Sequence, residues 1–341
     1  MSLSKTIQID HLEKLQVLTG IRTLPKDLSV STMTIICSFD CKFFINNIGK
    51  YIDLDSNGIL RTKYSIQVKK ETKSLNDDDS DTDDEYENIT KIRALAGLVD
   101  KKNSGKKKKK KESTFYNQTE VKVRCKVDDY TVKKNKKDMQ KKISVKIFRN
   151  GTVHFTGCAT VEGLYESIKI LCKYLRKTKA IVDYKNNNTI MKDINFSTNP
   201  QCLYLDKMIS TNISLINANF VVDFNIDRVR LKNLMSKLGH ECKYDPIKYS
   251  GVNIKYNYND IKRVAILVFK SGAIVITGGK SCNQVKKAYN FMCNILKDNY
   301  NDIIEVTNDD IMANNKDLKE LLKTRDNLVQ EQVKKLIGKY N

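Results

Sequence analysis

The sequence predicts an α+β fold built from two copies of one unit, and three observations carry that prediction. Phe148, Gly151, Thr156 and Gly157 fall in step with Phe269, Gly272, Thr277 and Gly278, at one constant separation and with no gap. Each copy reads as two short strands around a tight turn, Arg149-Asn150-Gly151 or Lys270-Ser271-Gly272. A helix follows each hairpin: Leu164, Ile168, Leu171 and Leu175 share one helical face, as do Val285, Tyr289, Met292 and Leu296. Ser281 with Gln284 forms a capping-box start for the second of these.

Alternation within the hairpins divides their residues into two faces. Ile143, Val145, Ile147, Val153 and Phe155 form an unbroken apolar set, matched by Ile266, Val268, Ile274 and Ile276, and these face the helix. The opposite set is Ser144, Lys146, Phe148, Thr152, His154 and Thr156, against Ala265, Leu267, Phe269, Ala273, Val275 and Thr277. It keeps one large open Phe in each copy. Such a face suits a flat, partly apolar partner such as stacked base edges.

The chain of 341 residues has room for two domains at roughly 150 residues each. A formal charge of +21 and a pI near 9.4 point to a polyanionic partner, nucleic acid ahead of a membrane surface, although abundant Lys, Asn and Ile without Trp also reflect AT-rich coding. No apolar run is long enough to span a bilayer and no leader pattern stands at the start, so an intracellular protein is expected. The nine cysteines lack CxxC pairs and read as buried reduced thiols, with no metal site. No Gly-rich phosphate loop, catalytic triad or paired carboxylates are present, so neither an enzyme nor a cofactor is expected.

Taken in order, residues 1–28 form an N-terminal extension holding one amphipathic helix through Ile9, Leu12, Leu15 and Leu18. Repeat one runs over 29–179: a β-branched strand SVSTMTIICSF, a helix through Phe44, Ile48 and Ile52, a turn at Asp55–Gly58, and then ILRTKYSIQVKK. Within it, about 70–113 reads as a disordered charged insertion, acidic from Asp77 to Glu87, all lysine from Lys106 to Lys111, with a short helical candidate KIRALAGLVD between. The strand FYNQTEVKVRCKV resumes the fold. Residues 180–211 are a connector with a possible strand at CLYLDKM. Repeat two covers 212–300, in which ISLINANFVVDF, RVRLKNLMSKLG and YSGVNIKY mirror the earlier strand, helix and SNGILRTKY. A charged helical tail, 301–341, carries Leu318, Leu321, Leu322, Leu328, Val333 and Ile337.

IFRNGTVHFTG and VFKSGAIVITGGK, together with YDPIKYSG at 244–251, resemble the TATA-box-binding protein family, above all its diverged members in large DNA viruses. The resemblance covers about 31–300 and implies a saddle: two repeats, a curved antiparallel sheet with its concave face on the DNA minor groove, helices on the convex face. It implies aromatic wedges at Phe148, Phe269 and Tyr249, with the fourth lost at Ser56. By the same resemblance Asn217 hydrogen-bonds bases near the site centre, with Asn219 as the neighbouring groove-facing residue and Ser31 as the repeat-one counterpart of Asn217. Thr156, Thr277, Val275 and Leu267 line the groove floor, where His154 and Lys146 replace apolar groups. Lys255, and Lys63 in repeat one, stand near a phosphate-contacting arginine.

These implications have a chemical basis. A·T steps show only acceptors in the minor groove, so a reader needs few directional donors. Apolar wedges unstack a step at a cost of a few kcal/mol, offset by the surface that bent DNA wraps; the family is itself a known case, with a kink of about 80°. The expected protein is a transcription initiation factor. It is a pseudo-symmetric monomer without a membrane partner that bends AT-rich promoter DNA and recruits other initiation factors or RNA polymerase, in a host nucleus or a cytoplasmic viral replication site. The alternative is a duplicated saddle serving as a protein-interaction scaffold without its own DNA binding.

Overall fold

The computed structural model describes residues 3–69, 86–95, 117–126, 140–185, 188–259, 262–305, 320, 323–325 and 327–331. The chain packs as two compact units, Met1–Phe220 with Tyr256–Ala265 and Val275–Asn290, and Val221–Lys255 with Ile266–Ile274 and Phe291–Asn341. Unit boundaries therefore fall inside strands and one helix rather than between the repeats.

In the first unit, helix α1 (Leu3–Thr19) precedes strand β1 (Ser29–Ser38), helix α2 (Ile45–Tyr51), β2 (Ile59–Lys69), β3 (Tyr86–Ala94), β4 (Gln118–Lys126), the hairpin β5 (Gln140–Phe148) and β6 (Thr152–Cys158), and helix α3 (Val161–Leu175). A separate hairpin, β7 (Lys179–Lys185) with β8 (Asn188–Asp193), leads to β9 (Ser210–Val221). These strands order as β9-β1-β6-β5-β4-β2-β3, and each neighbouring pair is antiparallel. Helix α2 packs on β2 and β4, α3 on β4 and β6, and α1 on α3.

One sheet face is buried beneath these helices. Met33, Ile35, Cys37, Val121, Val123, Ile143, Val145, Ile147, Val153 and Phe155 are fully buried with Leu164, Ile168 and Leu171 of α3. Each such side chain stabilises the fold by roughly 1.5–3 kcal/mol. Thr160 caps α3, its hydroxyl accepting from the Gly163 amide at 3.1 Å. All nine cysteines are free, and burial pushes the Cys37 and Cys172 thiols up to about 12.

Helix α4 (Arg228–Lys237), β10 (Cys242–Lys243), β11 (Val252–Asn259), β12 (Lys262–Val268), β13 (Ala273–Gly279), helix α5 (Cys282–Asp298) and helix α6 (Tyr300–Ile303) complete the described elements with names. These strands order as β10-β11-β12-β13, and in the second unit α4 packs against α6 and β10. Ile226, Leu231, Met235, Val252, Ile254, Ile266, Val268 and Ile274 are buried there. The capping box at α5 forms: the Gln284 amide donates to the Ser281 hydroxyl at 3.3 Å, and the Gln284 side-chain oxygen accepts from the Lys280 amide at 2.7 Å.

Backbone contacts repeat residue for residue. The Phe39 amide donates to Gly151 O at 3.0 Å and the Val222 amide to Gly272 O at 3.0 Å; the Phe43 amide donates to Arg149 O at 3.0 Å and the Ile226 amide to Lys270 O at 2.8 Å. Both turn glycines have positive φ, 89° and 76°, and a Cβ would lie 2.4 Å from Cys41 O or 2.3 Å from Val222 O. Only glycine fits there. The match runs past the helices: the Phe44 amide meets Phe196 O at 2.9 Å and the Asp227 amide meets Ile303 O at 2.8 Å.

Several expectations need correction. Tyr86–Ala94, inside the segment expected to be disordered, is a strand paired with β2 from Arg61↔Ala94 to Lys69↔Tyr86. Arg93 ties it to the fold by donating to Gly49 O and Ile52 O at the end of α2, at 3.1 and 3.2 Å. The helical candidate beginning at Lys91 is thus extended through Ala94. Asp77–Glu85 and Lys106–Lys111 lie outside the described residues. CLYLDKM holds 3-10 turns at Pro200–Cys202 and Leu205–Lys207, not a strand; the connector's strands are β7 and β8. In the tail, residues 323–325 and 327–331 are helical with Leu328 exposed, and the other five apolar positions lie outside the described residues.

Candidate nucleic-acid interface

In the second unit, two aromatic rings meet over a glycine. Phe269 follows β12 immediately, its amide closing the hairpin to Ala273 O at 3.0 Å, and alternation from buried Val268 turns its ring away from the core. Tyr249 is set by a fixed turn: the Asp245 carboxylate accepts from the amides of Ile247 and Lys248 at 3.2 and 3.4 Å, and Asp245 O accepts from the Tyr249 amide at 2.9 Å. Arg228 holds the far side of the turn by donating to Ser250 O at 2.7 Å. The rings meet edge to face, centroids 5.9 Å apart, with Tyr249 45% exposed. A Cβ on Gly251 would lie 2.9 Å from Tyr249 Cε1 and 3.0 Å from Phe269 Cε1. Lys255 and Leu267 are half-buried, alternating away from buried Ile254, Ile266 and Val268.

In the first unit, Phe148 is half-buried on the sheet face opposite Ile147, its ring 4.6 Å from that of His154. Burial, and then the Lys146 ammonium directly across the β5–β6 pair, hold His154 below its ordinary pKa. Thr277 donates to the Asn217 side-chain oxygen at 2.7 Å. Asn219 and Val275 are half-buried, alternating with buried Ala218, Phe220, Ile274 and Ile276. Thr156 is exposed, and its hydroxyl lies 3.5 Å from that of Thr34.

That last contact revises one correspondence. The spacing that takes Phe39 to Val222 and Phe43 to Ile226 takes Thr34, not Ser31, to Asn217. The pairings Thr34↔Leu215 and Thr32↔Asn217 exchange under the same relation, as expected of a two-fold. Ser31 instead donates to Asn217 O at 3.1 Å.

Ser56 is not the counterpart of Tyr249. It lies in the turn before β2, its carbonyl accepting from Arg124 at 2.9 Å, and β4 intervenes between β2 and the Phe148 hairpin. The strand beside that hairpin is β4, with Gln118 opposite Phe148. Accordingly YSGVNIKY mirrors β4, not SNGILRTKY. The edge pairings agree: Lys63↔Glu120 on β2–β4 matches Lys243↔Asn253 on β10–β11. The same spacing takes Gln118 to Gly251, Lys122 to Lys255 and Tyr116 to Tyr249 in sequence. Tyr116 lies one residue outside the described segment. The signal that finds this correspondence is strand order, which the extra strand β3 between β2 and β4 in the sequence conceals.

The fold and its open face define a class: a duplicated α+β unit whose antiparallel strands are covered by helices on one side and present an aromatic-bearing face on the other. Comparison with known proteins finds similarity to one family. Residues 212–299 match the family model described as transcription factor TFIID, or TATA-binding protein. Over 333 residues the chain is 29% identical to a TATA-box-binding protein-like protein of Acanthamoeba polyphaga mimivirus, covering 92% of this chain and 73% of that protein. It is 30% identical to the TATA-box-binding protein of Thermococcus celer over 26% of this chain and 44% of that protein, and 26% identical to that of Archaeoglobus fulgidus over 43% and 65%. The chain thus spans under two thirds of either archaeal relative. A solved structure of Methanococcus jannaschii TBP aligns with a TM-score of 0.42 at 15% identity, over 80% of this chain and 99% of that one. The resemblance to TATA-box-binding proteins, including a viral TATA-box-binding protein-like protein, is therefore found across the chain as well as in its motifs.

Proposed function

We propose that this protein is a DNA-binding transcription initiation factor that inserts aromatic side chains into the minor groove of AT-rich promoter DNA and bends it. The observation that carries the reading is the Tyr249–Phe269 pair, two rings held edge to face on the uncovered side of the sheet by a rigid turn and a glycine. A core role does not account for them, because the opposite face already holds the buried apolar set. Insertion of such rings at a pyrimidine–purine step is least costly in AT-rich DNA. Phe148 is the repeat-one counterpart of Phe269.

Asn217 supports groove recognition. Its side-chain oxygen is occupied by Thr277, which leaves the amide NH2 for base acceptors. Thr156 and Val275 supply small or apolar floor in the same unit, with Asn219 as a further groove-facing residue; in the second unit Leu267 supplies apolar floor and Lys255 a phosphate contact. The helix-bearing face, including exposed Lys286 and Lys287 of α5, is the surface for other initiation factors or RNA polymerase. The protein acts as a monomer inside the cell, in a host nucleus or a cytoplasmic viral replication site. No catalytic role is assigned.

The test is end-to-end fluorescence transfer on a short AT-rich duplex with the full chain. Bending that Phe269→Ala and Tyr249→Ala remove supports the reading. A folded protein that binds no duplex at low salt would instead favour the interaction scaffold.

A further inference from the structure

The open sheet face of repeat one is a cationic grid. Alternation away from buried Thr62, Val121, Val123, Ile143 and Val145 puts Arg61 and Lys63 of β2, Lys122 and Arg124 of β4, and Lys142 and Lys146 of β5 on that face. Register sets them in rows: Lys63, Glu120, Lys146 and His154; then Arg61, Lys122, Ser144 and Thr156; then Arg124 and Lys142. The pitch of such a grid is about 4.8 Å across strands and roughly 6.8 Å along them.

Six cations share one carboxylate in these rows, Glu120, and Arg61 engages it at 3.5 Å. Lys63 and Lys142 are exposed, and Arg124 Nε is buried without a partner among the described residues. Like charges at facing positions destabilise a sheet, so the free protein carries a cost that a bound polyanion would relieve. Repeat two keeps only part of this pattern: Lys243, Lys255 and Arg263 stand where repeat one has Lys63, Lys122 and Lys142, but Leu267, Val275 and Asn257 replace Lys146, His154 and Arg124.

We infer that repeat one is a phosphate clamp, gripping the sugar-phosphate backbone of duplex DNA through Lys63, Lys122, Arg124, Lys142 and Lys146 without reading sequence. The inference rests on the DNA reading of the same sheet face and adds to it that repeat one, with the fuller set of cations, supplies the greater part of the grip on the backbone. A duplex is favoured over an acidic protein because the grid flanks Phe148, directly opposite Gln118 on β4, and so is continuous with the aromatic face.

The experiment compares the full chain with the triple variant Lys63→Gln, Lys122→Gln, Lys142→Gln, measuring duplex affinity and end-to-end transfer over a salt series, with polyglutamate as competitor. Each lost phosphate contact lowers the log–log salt slope by about 0.9, so the triple variant loses about 2.7, equivalent to roughly 40-fold less change in affinity between 50 and 200 mM salt. Its melting temperature should equal or exceed wild type, because repulsion is removed. An unchanged slope in the folded variant, with wild type still bending DNA, overturns the clamp and leaves the aromatic reading standing. Steep salt dependence that the triple variant relaxes, without bending and without an effect of Phe269→Ala, supports the clamp and sinks the aromatic reading. Tight polyglutamate binding that the substitutions abolish while duplex affinity is unmoved overturns the clamp in favour of an acidic protein partner.

Discussion

The hydroxyl of Thr277 donates to the side-chain oxygen of Asn217 at 2.7 Å, whereas the matching pair of the other repeat, Thr34 and Thr156, is two hydroxyls 3.5 Å apart. The first pair fixes an amide with its NH2 outward. The second can exchange donor and acceptor. Thr277→Val should therefore weaken binding to an AT-rich duplex about fivefold, the effect of one net hydrogen bond of about 1 kcal/mol. Thr156→Val should have a smaller effect in the same titration.

Gly251 leaves room for two rings to meet. Because a new Cβ would press on the ring edges of Tyr249 and Phe269 rather than on backbone, Gly251→Ala should displace the rings at a stability cost of about 1 kcal/mol or less. Bending amplitude should fall well below wild type in a fluorescence-transfer assay. A variant that bends DNA normally would show that ring placement is not the determinant.

The hairpin turns behave in the opposite way. At Gly272 and Gly151 the positive φ and the carbonyls at 2.3 and 2.4 Å leave no soft neighbour to yield. Either residue changed to Ala should cost more than about 2 kcal/mol in urea unfolding. Equal losses at the two sites would reflect their equivalent contacts.

His154 gives a pH signature. Its folded pKa lies below the ordinary 6.5, first through burial and then through Lys146, so the folded state resists protonation. The associated stability is complete above the unfolded value and is lost as pH falls through the folded one. His154→Gln should flatten the decline in melting temperature between about pH 7 and pH 5. Identical slopes for the two proteins would contradict this.

Much of the architecture was legible because its causes are local. Period-two alternation at Ile143–Ile147 and at Ile266–Val268, glycine at the two turns, and helical spacing from Leu164 to Leu175 each act within a few residues, and each forms as expected. The misreadings share a non-local cause. Charged sequence around Tyr86–Ala94 looks unable to support a core, yet the strand is held by pairing to β2 and by Arg93 on the α2 carbonyls, both set by tertiary contact. The counterparts that the resemblance assigns at Ser56 and Ser31 follow the order of motifs along the sequence, which fails once the extra strand β3 intervenes and the β1–β9 pairing exchanges the repeats. The cation grid was invisible for the same reason: Lys63, Lys122 and Lys142 are distant in sequence and become neighbours only through register.

The most direct measurement of the central claim is end-to-end fluorescence transfer on a double-labelled AT-rich duplex at saturating protein, wild type beside Phe269→Ala, with both shown to be folded. The account predicts a large change in end-to-end distance for wild type and little or none for Phe269→Ala. Equal bending by the two proteins, or a saturated and unbent duplex with wild type, would contradict it.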